Sequence, residues 1–421
     1  MATTDTVIVG AGPYGLSLAA HLTSVGVPHE ILGKPMQAWR DYMPPGMLMR
    51  SEAFASSLYT PQRGYTMEQY CLHKGIQYQP VGMPLSREMF IDYALWFQQQ
   101  LVSHVRTVDV VDMHRVDGYF HLNLSDGNSL IARRVVLALG LKGFAKTPPV
   151  LQGLPREYVS HSGVYGSLDW VHGKDIVIIG GGQSALGLGA LMHEVGGRIR
   201  VLVRENSIAW NGEPAVDRGI ISKLRAPEGG IGRGWLSYIT SEYPFAFRTL
   251  NHQRRKRIVA TYWGPTGAWW LRDRVVGKFD VSLGSEVRDA VIENDRIVLH
   301  VANCNTESRI EANHVIAATG FKVDINAHQF LSKEIVQALS LVDGIPELTG
   351  NFETVVRGLY IIGPASAYTF GPVMRFIYGA KYAAPQVARH IRKMYRESAA
   401  TRSWVGTGAS SGDAAINQSG R

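Results

Sequence analysis

Cysteine is nearly absent from this chain: only Cys71 and Cys304 occur in 421 residues, and no C-x-x-C pair is found. That excludes a disulfide framework and a redox-active dithiol, and the thiol usage is that of a reducing compartment. Long apolar runs are missing as well, so no stretch has the length of a membrane span. The apolar start carries glycines at 10, 12, 15 and 26 and no basic residues ahead of them, which is not the make-up of a signal peptide. Cytoplasmic placement is the expectation. There is no H-E-x-x-H and no pair of histidines at ligand spacing, so no metal site is expected. No G-x-S-x-G elbow appears, which argues against a serine hydrolase. Acidic residues are in deficit, 35 against 43 Lys and Arg, leaving a net charge of +8. Such a field attracts phosphates, an acidic substrate or nucleic acid. No nucleic-acid motif accompanies it, so small anionic ligands are the expected partners and no nucleic acid is.

Glycine, by contrast, is plentiful, with 45 residues. Two clusters stand out. The β-branched run Thr6–Val9 leads into Gly10-Ala-Gly12-Pro13-Tyr14-Gly15, and Asp175–Ile179 leads into Gly180-Gly-Gly182-Gln183-Ser184-Ala185. A short apolar strand, G-x-G-x-x-G/A and a helical pattern form the grip for a dinucleotide pyrophosphate. The first Gly makes the turn, the second lets backbone N–H groups reach phosphate, and the third lets helix and strand close up. The helix N-terminus adds positive potential. Two such grips predict two dinucleotide sites.

The surroundings repeat as well. A hairpin around Asp126-Gly127 precedes Arg134–Gly140, and a hairpin around Glu293–Arg296 precedes His314–Gly320. Gly140 follows Gly10 by 130 positions and Gly320 follows Gly180 by 140, so a nucleotide-binding module is duplicated. The fold class is therefore α/β, with two Rossmann-like domains. The first runs over 1–160. The second spans 161–316 and carries an aromatic and basic helical insert at 205–280. The chain returns to the first domain over 317–397, with a closing strand at Gly358–Gly363 and a helix from about Met374. The Ser-, Gly- and Ala-rich tail 398–421 is expected to be disordered.

The fingerprints, the Ala318-Thr-Gly320 turn and the closing Leu359-Tyr-Ile-Ile-Gly363 resemble the two-dinucleotide flavoproteins. Gly181–Ala185 together with His161-Ser-Gly-Val-Tyr165 resembles the class B flavoprotein monooxygenases. That group includes flavin-containing, Baeyer–Villiger and N-hydroxylating enzymes. The resemblance covers roughly 5–205 and 310–395. It implies FAD on Gly10, Gly12, Pro13, Tyr14 and Gly15, with Gly140, Gly320 and Gly363 at the strand ends beside the cofactors. It implies NADPH on Gly180, Gly182, Gln183, Ser184 and Ala185. The implied reaction forms a flavin C4a-peroxide or hydroperoxide from molecular oxygen and delivers one oxygen atom to a small amine, sulfur or ketone substrate. The chain departs from the group's F-x-G-x-x-x-H-x-x-x-Y/F signature by Pro155 and Glu157 in place of Phe and Gly. It also has Gly33 where an acidic residue would meet the adenosine ribose, which shifts that contact to Lys34 or to backbone. In the second half Arg204 stands where NAD-binding proteins carry Asp or Glu, and a guanidinium there suits the 2′-phosphate of NADPH.

The segment Trp39–Ser51 holds Pro44, Pro45 and Gly46 and reads as a loop. By the resemblance Trp39 lies against the flavin. Arg50, or Ser51 by a shift of one residue, falls near its reactive carbon, where a cation would favour an anionic peroxide or an anionic substrate. The run Arg254–Arg257 reads as an anion-recruiting patch or a solvated helix face. Trp235, Trp263, Trp269 and Trp270 read as pocket lining or as core. An NADPH-dependent flavin reductase or electron-transfer protein without a dithiol is the alternative function. A nucleotide-binding sensor without turnover is a third.

Overall fold

The run Thr6–Val9 is buried and flanked on both sides, because it is the middle of a parallel sheet. The computed structural model describes residues 2–408, apart from 142, 216–217, 263 and 304–305. Strand Ala2–Val9 pairs parallel with His29–Leu32 on one side and with Ser129–Leu137 on the other, and Val105–Arg106 extends the first edge. Ser129–Leu137 serves two partners. Its first half pairs antiparallel with Tyr119–Leu124 across the Asp126-Gly127 turn, and its last three residues pair parallel with the closing strand Leu359–Ile361. Phe120, Leu122 and Leu124 alternate inward along the hairpin, as period-two patterning requires. The helix Pro13–Ser24 then covers the sheet, and the last helix packs along it.

The second sheet is parallel throughout, ordered Asp280–Ser282, Arg198–Leu202, Asp175–Ile179, His314–Ala317, Val159–His161. It therefore begins at Val159, two residues ahead of the boundary read from sequence. The meander Ser285–Glu293, Arg296–Asn303, Thr306–Ala312 lies over it, with Ile297, Leu299 and Val301 packed against Val177 and Val315. Both chain crossings between the domains are zipped together. Ala145 bridges Phe321, Lys146 N donates to Gly320 O at 3.0 Å, and Lys322 N donates to Phe144 O at 2.8 Å.

Residues 205–280 depart from a purely helical insert. Ala209–Trp210 pairs with Thr266–Gly267, and a second short ladder joins Glu228–Gly229 to Gly232–Arg233. Between these ladders lie helices Ile220–Arg225, Trp235–Glu242, Pro244–Phe247 and His252–Thr261, and Trp269–Arg274 forms a 3₁₀ turn. The insert bridges the molecule. Leu271 and Val275 pack on Leu186 and Ala190 of the second domain. Glu242 reaches the first domain, accepting from Lys381 Nζ at 3.1 Å and Tyr382 OH at 2.6 Å. The last helix starts at Ala380 rather than Met374, because Pro372–Arg375 and Ile377–Gly379 are 3₁₀ turns. It continues through Gly408, so the tail expected to be disordered from Ser398 begins as helix; 409–421 lie outside the described residues.

Candidate dinucleotide-binding sites and the seam between them

At the first fingerprint, three glycines have three separate physical reasons. Gly10 sits at φ +115°, and a Cβ on it would meet Ala138 O at 2.4 Å. A Cβ on Gly15 would lie 1.8 Å from Gly10 O, so helix and loop touch there. Gly12 is different: nothing lies within 4 Å of its Cβ position. The helix begins at Pro13 with no side-chain cap and no acidic residue in its first turn. Its leading N–H groups thus face open space at the carboxyl edge of a parallel sheet, where doubly wound folds bind ligands.

The side chain of Tyr14 turns away from that opening. Its hydroxyl lies 2.9 Å from Met374 O and 2.8 Å from Phe376 O, and its ring is 3.6 Å from where a Gly363 Cβ would stand. Burial pushes the phenol well above its ordinary value, so it is a neutral strut tying the closing segment to the helix. Gly33 follows strand His29–Leu32 at φ +128°, and a Cβ there would come within 3.2 Å of Ala11 N. An acidic side chain is absent at this position because the chain presses on the fingerprint loop. Lys34 is exposed beside it. Trp39, on a helical turn Gln37–Asp41 within the segment read as loop, is half-buried and meets Phe90 edge-on at 4.6 Å. Gly140, Gly320 and Gly363 all lie just past the carboxyl ends of strands, each at positive φ.

The second fingerprint repeats the geometry with one addition. Gly180 adopts φ +144° against Ala318 O, Ala185 is fully buried, and the helix Gln183–Glu194 also lacks a side-chain cap. Here, however, the opening is crossed by the insert. Pro265 lies 3.6 Å from the Gly182 Cβ position, and Gln183 Oε1 accepts from Ala268 N at 2.8 Å. Ser184 is exposed. Arg204 is exposed at the end of strand Arg198–Leu202, paired to Glu205 at 3.1 Å. An exposed pair of this kind holds its guanidinium weakly.

Arg50 stands between the two openings. Its Nη2 donates to Thr266 Oγ1 at 2.5 Å and to Asn211 Oδ1 at 3.4 Å, so the first-domain loop is fastened to the base of the insert. Burial lowers its pKa to about 10, which leaves it cationic at neutral pH. Arg50, Ser51, Glu52, Asn211, Trp269 and Trp270 line a cavity of about 60 Å³. Burial raises the Glu52 carboxyl, whose Oε2 accepts from Gly82 N at 2.7 Å. Trp235 is exposed elsewhere, and Trp263 lies outside the described residues. The basic run sits on helix His252–Thr261 in mixed roles. Arg254, Lys256 and Arg257 are exposed, whereas Arg255 is buried over the Tyr368 ring at 4.8 Å. His161 Nε2 donates to Gly320 O at 2.9 Å, so it braces the domain crossing. No group of three or more His, Cys, Asp or Glu among the described residues is placed to hold a metal. Sequence reasoning missed Thr266, Asn211 and the strap Pro265–Ala268. Arg50 and Thr266 are 216 positions apart, and no local pattern signals such a contact.

Residues 2–209, which include both fingerprints and the loop that bears Arg50, match the model of the L-lysine 6-monooxygenase/L-ornithine 5-monooxygenase family. That match takes in 208 of the 421 residues, just under half of the chain. The likeness to class B flavoprotein monooxygenases read from the sequence is thereby borne out. An FAD-dependent urate hydroxylase of Xanthomonas campestris pv. campestris is 29% identical over 196 residues, 43% of this chain and 41% of that protein. The chain thus aligns with about two fifths of that curated relative. Among solved structures, an ornithine N-hydroxylase of Kutzneria sp. 744, with reduced FAD, NADP+ and L-ornithine, superposes with TM-score 0.74 at 16% identity. That match covers 93% of this chain and 100% of that one. The ornithine hydroxylase of Pseudomonas aeruginosa gives 0.72 at 17% identity, covering 93% and 99%. The bacillithiol disulfide reductase of Staphylococcus aureus gives 0.63 at 17%, covering 93% and 98%. These superpositions show that the two-domain α/β fold is shared over 93% of the chain.

Proposed function

We propose that this protein is an FAD- and NADPH-dependent monooxygenase that transfers one oxygen atom from molecular oxygen to the nitrogen of a small amine. The observation that carries the reading is the family match over residues 2–209, which takes in both nucleotide grips. FAD belongs on the first fingerprint, where the uncapped helix N-terminus and the open side of Gly12 leave room for a pyrophosphate. NADPH belongs on the second, with Arg204 beside the 2′-phosphate and the strap Pro265–Ala268 over the phosphates. When bound there, FAD would supply the chemistry of hydride acceptance from NADPH and of oxygen activation. The chain's own part is to hold both nucleotides, to seal the seam from water through the Arg50 contacts, and to present the substrate. No acid–base constellation is required of it for that chemistry. Bound small amines such as the ornithine of the Kutzneria structure are the first candidates, and an anionic group on the substrate suits the cation at Arg50.

The test is a stopped-flow experiment on flavin-loaded protein reduced anaerobically with NADPH and then mixed with oxygen. A transient flavin absorbance prolonged by NADP+, together with a hydroxylamine product from ornithine, lysine or cadaverine, is the expected outcome. Direct return to oxidised flavin, with rapid electron delivery to artificial acceptors and no oxygenated product from any amine, would instead make it a reductase.

A further inference from the structure

The insert contains a helix of inverted polarity. Along Trp235–Glu242 the buried residues are Ser237, Thr240 and Ser241, while Trp235, Leu236 and Ile239 face outward. A helix on a globular protein ordinarily turns its apolar stripe to the core. Here the buried hydroxyls are satisfied in place. Tyr262 OH donates to Ser237 Oγ at 2.8 Å, Gly230 N donates to Ser241 Oγ at 3.1 Å, and Thr240 Oγ1 donates to Leu236 O at 2.6 Å. The preceding helix, Ile220–Arg225, buries none of its residues. Its Ile220, Ile221 and Leu224 stand at i, i+1 and i+4, the same spacing as Trp235, Leu236 and Ile239. These six side chains are 49–79% exposed, and exposed Tyr243 and Phe245 follow them. Hydrogen bonds tie the bases of the two helices together. Arg218 Nη2 donates to Ala226 O at 2.8 Å, Gly234 N to Pro227 O at 2.9 Å, and Arg233 Nη2 to Ala215 O at 3.0 Å. An apolar cluster of this size on a surface marks a place of contact.

The surrounding charge selects the partner. Residues 218–257 hold nine Lys or Arg against two acids. Both acids are engaged, Glu228 with Arg233 at 3.2 Å and Glu242 with Lys381 at 3.1 Å. Lys223 and Arg225 alternate with the apolar residues of the first helix, are exposed, and enter no ion pair among the described residues. A second copy docked here about a two-fold axis would set these cations against their own counterparts. An anionic lipid surface answers both features. Its headgroup boundary takes aliphatic side chains, its interface suits Trp235 and Tyr243, and long cationic side chains reach its phosphates. No helix among the described residues is long and apolar enough to cross a membrane, so this contact is a peripheral one.

We infer that the helices Ile220–Arg225 and Trp235–Glu242 form a docking surface for an anionic lipid bilayer. The inference does not depend on the FAD reading above. The test is co-sedimentation of the full chain with two kinds of vesicle, phosphatidylcholine alone and phosphatidylcholine with about one-third phosphatidylglycerol, at about 0.15 M salt. Wild-type protein is compared with an apolar variant, Ile221→Ser with Leu236→Ser, and a charge variant, Lys223→Glu with Arg225→Glu. All four positions are exposed, so both variants should keep the wild-type melting temperature. Wild-type protein is expected to pellet with the anionic vesicles and not with the neutral ones. Each variant should lower its partition onto the anionic vesicles by about tenfold or more. Wild-type protein that stays in the supernatant with anionic vesicles would overturn the inference. So would an apolar variant that pellets as wild type does, since charge alone would then account for binding. A wild-type dimer in solution that the apolar variant splits would assign the surface to a second copy instead.

Discussion

At the scale of single residues, the charges divide into those that hold the fold and those that the proposed function assigns to ligands. Arg134 Nη1 donates to both carboxylate oxygens of Asp5 at 2.6 Å, with side chains only 9% and 5% exposed. Removing one partner strands the other in a low-dielectric interior. Arg134→Met is expected to cost about 3–5 kcal/mol in a denaturant titration, with much of it recovered when Asp5 is also replaced by an apolar residue. Arg204 is the opposite case, exposed and only loosely tied to Glu205. Arg204→Ala should leave stability within about 0.5 kcal/mol. It should raise the KM for NADPH about tenfold or more while barely changing that for NADH, since a charge-assisted contact to the 2′-phosphate is lost. Steady-state oxidation of the two nucleotides checks this. Equal effects on both would remove Arg204 from the 2′-phosphate site.

On the FAD reading above, secondary-structure elements carry the recognition, and the first fingerprint would separate folding from binding within six residues. Gly15→Ala drives a Cβ to 1.8 Å from Gly10 O, so helix and strand must part. A loss of about 1–3 kcal/mol or more is expected in the flavin-free protein. Gly12→Ala meets nothing within 4 Å and should melt as wild type does, yet its methyl group occupies the space in front of the helix N-terminus. FAD titrations and thermal melts on the two variants should therefore give opposite patterns. Equal FAD affinity for Gly12→Ala and wild type would move the cofactor off this helix.

Across the whole molecule, pH acts through several buried imidazoles. Burial lowers the pKa of His21, His29, His161, His314 and His390 below the ordinary 6.5. Below 6.5 the unfolded chain takes up protons that the folded chain resists, so stability is full above that value and falls as pH drops toward the folded values. Each group contributes a slope of at most about 1.4 kcal/mol per pH unit in that window. His161 and His314 are the most enclosed, each 7% exposed, and His161 also braces the Gly320 crossing. Melting temperature measured from pH 8 to 5 should fall below about 6.5, and His161→Asn should flatten that fall. A flat wild-type profile would contradict the burial assigned to these rings.

Local chemistry made much of this legible in the sequence. The two fingerprints, the Asp126-Gly127 hairpin and the closing strand at 359–361 are short-range patterns, and each formed where it was read. Ser86 ahead of the helix Arg87–Leu101 is likewise a local cap, accepting from Met89 N. Charge and turn residues did not disclose the seam. Arg50 meets Thr266 and Asn211 across more than 160 positions, Pro265 crosses the second grip, and Gly33 replaces an acidic residue because of an approach to Ala11. The sequence by itself determined the duplicated α/β modules and their nucleotide grips, since backbone turns and strand periodicity are set by neighbours along the chain. Only the tertiary structure decided which side chains close the space between the grips, since those contacts depend on how two sheets and an insert are packed together.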